Sequence, residues 1–375
     1  MRRRAPREPC QDHGVPDVVA TLDEAAAPHR RPPLVVLDRL EAFLDERGFG
    51  AGPLSVRRIG DGGGSNFSFL VERGEERFVL RRPPRPPLPP SAHDMVREAR
   101  LQLALAPHGI RLPPIVAVCE DASVLGVPFY VMRFLEGHVI TGALPAGLET
   151  PETRRRLGEE LVDALVEIHA ADVRDPALAA FARPGSYLER QVRRFGQLWE
   201  VNATRELPMV VSVGRRLDEL LPEPLPETVV HGDYRLGNLM VEHDRPDRVL
   251  AVLDWEMGAI GDPRADVGYL LATYAEPGGE PSPLGVSPVT ALDGFPTRAE
   301  LVERYERRSG RAVGALDWFE ALALWKAAVF CEAIYGRFTR GELGAEDARA
   351  AAFEQAVPRM AEAAAERLDE VERTV

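Results

Sequence analysis

Two apolar runs, each ending at a carboxylate, limit what this chain can fold into more than any other feature. Val229-Val230 leads into His231-Gly232-Asp233-Tyr234-Arg235-Leu236-Gly237-Asn238-Leu239-Met240, and Ala251-Val252-Leu253 leads into Asp254-Trp255-Glu256. Apolar runs this short, bounded by Gly, Asp and Asn, read as strands that deliver their polar ends to loops. His231, Asp233 and Asn238 have the spacing of a loop in which Asp receives the proton of an attacking hydroxyl and Asn holds a metal ion. Asp254 stands at the later strand end, where a second metal-binding carboxylate belongs. Asp233, Asn238 and Asp254 are therefore the expected catalytic residues, with Asn238 and Asp254 on magnesium.

The rest of the composition narrows the class. At 375 residues, 45% apolar and 28% charged, the chain is long enough for two domains or one bilobal globular unit. No apolar run approaches the ~20 residues needed to cross a bilayer, so no membrane partner is expected. The Arg-rich N-terminus lacks the apolar core of a secretory signal, which makes cytoplasm the expected location. Cys10, Cys119 and Cys331 lie far apart, as suits a reducing compartment, and offer no metal-binding spacing. A net charge of −13 argues against nucleic acid. Of the 46 basic residues only Lys326 is lysine, so the lysine that kinases place on nucleotide phosphates is missing.

Residues 1–32 carry Arg and Pro clusters with little apolar periodicity and read as a flexible extension. Leu34, Val36, Leu37, Leu40, Phe43 and Leu44 recur at helical spacing from Pro33. Two extended segments, 54–59 and 67–71, flank Gly60-Asp61-Gly62-Gly63-Gly64-Ser65-Asn66. Such a loop brings backbone N–H groups close to phosphate oxygens, although a plain hairpin turn has the same composition. Ahead of a catalytic loop it reads as a phosphate lid, with Gly63, Gly64, Ser65 and Asn66 as contacts. Arg81 ends the next strand, at the place of the phosphate-binding lysine; the other reading makes Arg81 and Arg82 surface charges. A helix is expected from near Ser91, and on it Glu98 is the partner for Arg81. Arginine stays charged and presents a planar fork in place of a point charge.

Residues 113–120 and 127–134 read as two more strands. Met132, Arg133 and Leu135 then form a hinge, where the Arg133 carbonyl and the Leu135 N–H are placed to read an adenine edge. From Pro151 the chain is helical. Leu157, Leu161, Leu165 and Ile168 form an apolar stripe ending at His169, which reads as a packed, hydrogen-bonded histidine. Asp262 before Pro263 reads as a structural cap, and Asp266 as a brace for the catalytic-loop backbone. The Pro- and Gly-rich loop 275–297 is expected near the substrate entrance, ahead of helices over 298–309, 315–340 and 345–372. Arg235, two residues past the catalytic Asp, either faces an anionic acceptor or pairs with a neighbouring acid; Glu256 is a second candidate on the substrate side.

With His231 to Asn238 followed by Leu253-Asp254-Trp255-Glu256, the chain resembles the aminoglycoside phosphotransferase family over roughly residues 35 to 340. Gly64-Ser65-Asn66, Leu80-Arg81-Arg82-Pro83-Pro84, Ser91-Ala92-His93-Asp94-Met95, Tyr187-Leu188-Glu189-Arg190-Gln191 and Ile334-Tyr335-Gly336-Arg337 are most similar to the subfamily also found fused to acyl-CoA dehydrogenases. That resemblance implies an α+β, bilobal, kinase-like fold with ATP and Mg2+ as cofactors. Residues 33–135 would form a nucleotide-binding lobe with a small antiparallel sheet, and 136–375 a helical lobe with the catalytic loop and substrate site. It implies a small-molecule hydroxyl as acceptor, in a monomer or homodimer. The subfamily includes kinases of hydroxyacyl-CoA and tolerates Arg at the lysine position. The alternatives are an aminoglycoside kinase, for which an acidic cleft would suit a cationic sugar, and a pseudokinase acting as an interaction module.

Overall fold

Side-chain alternation along the early strands decides what each sheet face meets. The computed structural model describes residues 18–26, 32–60, 66–86, 93–341 and 348–374, so Gly63, Gly64 and Ser65 lie outside the described residues. β1 (Val19–Ala20) pairs in parallel with β2 (Val35–Val36), and α1 (Leu22–Ala26) lies between them. The extension expected over 1–32 is thus corrected at 18–26: Ala20 is buried, and the Leu22 N–H donates to Asp38 at 2.6 Å. The β-branched pair Val35-Val36 is taken by this ladder, so the expected helix begins at Leu37 as α2 (Leu37–Asp45).

β3 (Leu54–Ile59), β4 (Phe67–Arg73), β5 (Glu76–Arg82), β6 (Ile115–Cys119) and β7 (Phe129–Arg133) form an antiparallel sheet in the order β3-β4-β5-β7-β6. On β5, Phe78 and Leu80 join the core with α2, and Arg82 follows them at the same period-two spacing. Arg82 is buried and donates to the carbonyls of Pro83 at 3.0 Å, Leu125 at 3.3 Å and Leu34. Burial holds its pKa down to about 10. Arg81 has the opposite parity and stands opposite Tyr130 of β7. α3 (Met95–Leu105) begins after Asp94, whose carboxylate accepts the Arg97 N–H at 2.9 Å, and packs Met95 and Ala99 against Tyr130. A short α4 (Ala122–Leu125), capped by Asp121, joins β6 to β7.

Residues up to Arg100 together with Pro114–Phe134 form one compact unit, and Leu101–Pro113 with Leu135 onward form another. In the second, β8 (Gly137–Val139), β10 (Leu239–Glu242) and β11 (Val249–Val252) make one antiparallel group in the order β11-β10-β8. β9 (Thr228–Val230) pairs separately with β12 (Ala259–Gly261). β8 and β12 are only three residues long, too short to show alternation in sequence. The helices are α5 (Pro151–His169), α6 (Pro176–Ala179), α7 (Tyr187–Asn202), α8 (Pro208–Glu219), α9 (Arg264–Thr273), α10 (Arg298–Ser309), α11 (Leu316–Thr339) and α12 (Ala348–Thr374). Thr150, Ser186 and the Thr297–Glu300 capping box start α5, α7 and α10. α9 starts one residue later than a cap at Asp262 would give, because Asp262 accepts the Arg264 N–H and forms a bidentate pair with its guanidinium at 3.0 and 2.7 Å.

Helix α11 is apolar around most of its circumference because α7, α8, α9 and α12 surround it. Trp318 and Trp325 are buried there, their indole N–H groups donating to Leu217 at 3.2 Å and Val210 at 2.9 Å. α9 approaches closely at Gly268, where an added Cβ would collide with the Phe319 side chain and lie 2.8 Å from its backbone. Gly268→Ala is therefore expected to destabilise the protein by about 1–3 kcal/mol through overpacking, measured as a lower denaturant midpoint.

Candidate active site

The loop from His231 to Asn238 is shaped by a buried carboxylate on another element. β9 ends at Val230, and the next two amides, His231 N–H and Gly232 N–H, donate to Asp266 at 2.6 and 2.7 Å. Asp266 sits on the first turn of α9 and is fully buried. His169 Nε2 reaches it at 3.2 Å, and His169 Nδ1 lies 2.7 Å from the Tyr305 hydroxyl. Burial works to raise the Asp266 pKa, but the His169 hydrogen bond and the loop around His231 hold it below the usual carboxylate range. Gly232 has φ +85°, and a Cβ there would lie 2.8 Å from Met257, so only glycine fits this turn.

His231 then ties the two carboxylate-bearing strand ends together. Its Nδ1 accepts the Asp233 N–H at 3.2 Å, which leaves the proton on Nε2 to donate to the Leu253 carbonyl at 2.8 Å. The ring leans on Trp255, whose centroid is 4.8 Å away and whose indole donates to Val252. The Leu253 N–H donates back to the Asn238 carbonyl at 2.8 Å. Asp254 follows in the left-handed region at φ 64°, a conformation a non-glycine residue holds only where its surroundings impose it.

Asp233 Oδ2 accepts Asn238 Nδ2 at 2.7 Å, and the same nitrogen donates to the Asp233 carbonyl at 2.8 Å. Its Oδ1 makes no hydrogen bond among the described residues and lies 3.5 Å from Arg235 Nε. Arg235 therefore folds back on the Asp233 carboxylate, the pairing left open by the sequence, and its guanidinium fills the space a side chain at position 237 would need. Burial, and after it the charge of Asp233 and a hydrogen bond to its carboxylate, pushes Tyr269 well above the usual phenol range. Glu256 lies in the 3-10 turn Trp255–Met257 that follows Asp254.

In the other unit the expected ion pair is present, with Arg81 Nε 3.1 Å from Glu98 Oε1 and the Tyr130 hydroxyl donating to the same oxygen at 3.0 Å. Asn66 Oδ1 is 3.0 Å from His93 Nδ1. Met132 and Arg133 are in β7, opposite Val79 and Phe78 of β5. The division between the compact units falls between Phe134 and Leu135.

Sequence reasoning missed a basic pocket of about 250 Å³ whose lining includes Arg190, Arg193, Arg194, Gly232, Met257 and Lys326. The overlooked signal was a lone lysine within an apolar helical stretch. Lys326 is 7% exposed, its ammonium 4.9 Å from the centroid of the Phe195 ring. Burial lowers its pKa to about 8 against the opposing pull of Asp266 and Asp233.

Residues 55–319 match the sequence profile of the phosphotransferase enzyme family. The chain belongs to that family. Among relatives of this phosphotransferase, mouse acyl-CoA dehydrogenase family member 10 is 32% identical over 86% of the chain and 30% of its own length. Human acyl-CoA dehydrogenase family member 11 is 31% identical over 82% of the chain and 40% of its own length. The phosphotransferase chain thus spans well under half of these relatives. A candidate aminoglycoside phosphotransferase of Ralstonia eutropha superposes with a TM-score of 0.72 at 29% identity, over 89% of this chain and 98% of that one. A GDP and kanamycin complex of an aminoglycoside phosphotransferase shares the fold with a TM-score of 0.57 at 16% identity. The phosphotransferase thus has the α+β kinase-like fold. No helix among the described residues is long and apolar enough to cross a membrane.

Two variants separate scaffold from pocket. Asp266→Ala leaves two buried loop amides without an acceptor, each worth about 1–3 kcal/mol, and calorimetry is expected to show a loss of about 2–5 kcal/mol. Lys326→Met should act oppositely. Because the folded pKa of about 8 lies below that of an unfolded lysine, the buried ammonium costs stability below that pH, and the cost fades as pH rises toward the unfolded value. The cost is on the order of 3 kcal/mol, so Lys326→Met is expected to raise the melting temperature by several degrees at about pH 7 and by much less at about pH 10.

Proposed function

We propose that the protein is an ATP- and Mg2+-dependent phosphotransferase that phosphorylates a hydroxyl of an anionic small molecule, with a hydroxyacyl-CoA as the leading candidate. The observation that carries the reading is Asp233 Oδ1, a carboxylate oxygen with no hydrogen bond among the described residues while its twin is held by Asn238. An acceptor hydroxyl that donates to Oδ1 gives up its proton there as its oxygen takes the phosphoryl group. Arg235 places a positive charge beside the same oxygen.

Asn238 and Asp254 suit a hard divalent cation. The amide nitrogen of Asn238 is committed to Asp233, which leaves its side-chain carbonyl oxygen to join the Asp254 carboxylate in the oxygen donor set magnesium prefers. A magnesium ion held by these two side chains would take its remaining ligands from water and the nucleotide phosphates. Bound there, magnesium would neutralise charge on the transferring phosphates. Arg81, oriented by Glu98 and Tyr130, would add a fixed cation to the nucleotide phosphates. Gly63, Gly64, Ser65 and Asn66 would cover those phosphates, and the backbone of Arg133 and Leu135, beside Met132, would hold the adenine.

The substrate class follows from the relatives and from local charge. Relatives named as acyl-CoA dehydrogenase family members point toward an acyl-CoA, and the basic pocket beside Gly232 favours an anion. The same cations would repel a polycationic aminoglycoside, whatever the net charge of −13. Asp233→Asn is expected to lower turnover of a hydroxyacyl-CoA by about 10²–10⁴ while ATP still binds. Asp254→Ala should instead abolish magnesium-dependent ATP binding, read by calorimetry with and without the metal. Equal loss of ATP affinity in both variants, or rapid turnover of kanamycin with none of hydroxyacyl-CoA, contradicts the reading.

A further inference from the structure

Helix α11 carries three charged side chains into the core, and two of them are neutralised there. Glu320 pairs with Arg298 and, at 3.3 Å, with Arg367. Glu332 accepts from the Thr204 hydroxyl at 2.6 Å and pairs with Arg205 at 3.0 Å. Lys326 is the third, and among the described residues no carboxylate lies within ion-pair distance of it; the face of Phe195 is its recorded charge contact. An ammonium this deeply buried normally has a counter-charge, since desolvating a lone ion costs several kcal/mol.

The pocket Lys326 borders is basic on its other wall as well. Helix α7 contributes Arg190, Arg193 and Arg194. Arg190 donates to the carbonyls of Arg183 at 3.1 Å and Pro184 at 3.0 Å, which fixes it at the rim. Arg193 and Arg194 are exposed and form no ion pair among the described residues. Gln191 also lines the pocket, and its Oε1 is buried without a hydrogen-bond partner among the described residues. Gly232, next in sequence to Asp233, belongs to the lining. At about 250 Å³ the pocket is below the usual size for a whole drug-like ligand, so it suits one charged group of a larger molecule.

We propose that this pocket is an oxyanion subsite for the acceptor, where a phosphate or carboxylate of the molecule whose hydroxyl faces Asp233 docks on Lys326 and Arg194. The acceptor's identity rests on the phosphotransferase reading; the anion site rests on the pocket alone. Lys326 supplies a fixed point charge from the floor, and Arg194 a planar fork that can meet two oxygens of the anion at once. Such a subsite would make charge on the acceptor a condition for productive binding.

The test is calorimetric titration of the full chain saturated with ADP, so that nucleotide phosphate contacts are already filled. Inorganic pyrophosphate and 3-hydroxybutyrate are the two probes. Lys326→Met, close in volume and apolar like its surroundings, and the surface variant Arg194→Ala are each expected to weaken anion binding about tenfold or more, with ADP affinity unchanged. Pyrophosphate binding alone assigns the subsite to phosphate, and hydroxybutyrate binding alone assigns it to carboxylate; either supports it. Wild-type protein that binds neither probe, or both variants binding as wild type does, overturns it. Variant-sensitive anion binding in a protein that transfers no phosphoryl group to any hydroxyl keeps the subsite and defeats the kinase reading.

Discussion

One buried carboxylate, Asp266, holds the shape of the loop that carries Asp233. The strand ends that carry Asp233 and Asp254 belong to different sheets, since β9 pairs with β12 while β11 pairs with β10. No ladder joins β9 to β11 directly, but the β10–β11 ladder and the Leu253 N–H to Asn238 carbonyl bond tie the far end of the loop to the second strand end. Side chains complete the link: Asp266 gathers the first two loop amides, and His231 spans from the Asp233 N–H to the Leu253 carbonyl. Each link satisfies a polar group that burial would otherwise penalise, so the loop's shape and its hydrogen-bond accounting are one constraint. The His-Gly-Asp order follows: an imidazole with two bonding edges, a residue without Cβ beneath Met257, and then the Asp233 carboxylate.

Charge is placed in this protein by parity and depth more than by amount. Adjacent residues Arg81 and Arg82 point to opposite faces of β5 and meet opposite fates. One is held by the Glu98 carboxylate, and the other is dissolved in backbone carbonyls with its acidity raised by burial. An overall excess of acid, −13 in all, coexists with a basic wall on α7. Screening confines each to its neighbourhood, since exposed charges beyond about 8–10 Å hardly interact in physiological salt. In the proposed subsite, the charge an acceptor meets is that of the wall.

Much of this was legible in the sequence where short-range rules apply. Strand Leu54–Ile59, helix Pro151–His169 and helix Arg298–Ser309 fall where alternation, apolar stripes and caps put them. Asp233, Asn238 and Asp254 stand out in the sequence because the chemistry proposed for them demands fixed spacing along the chain. What escaped was set by long-range packing. The β1–β2 ladder drew part of the N-terminal segment into the fold, and the three-residue strands β8 and β12 exist only because a partner lies beside them. The pairing of Arg235 with Asp233 was an open alternative that only side-chain geometry could decide. The basic pocket joins α7 to a residue of α11 more than a hundred positions later, a distance no local pattern spans.

The near-total replacement of lysine by arginine has a practical side. Guanidinium groups stay protonated and do not attack acyl or carbonyl electrophiles under ordinary conditions, whereas an amine with a pKa of about 8 is partly unprotonated near neutrality. Apart from the α-amino terminus, the chain offers such reagents a single ε-amino group, and it stands in the wall of the pocket beside the catalytic loop. An acyl thioester or aldehyde that enters that pocket meets the protein's one side-chain amine, which makes the chain a single-site chemical reporter of what its pocket admits.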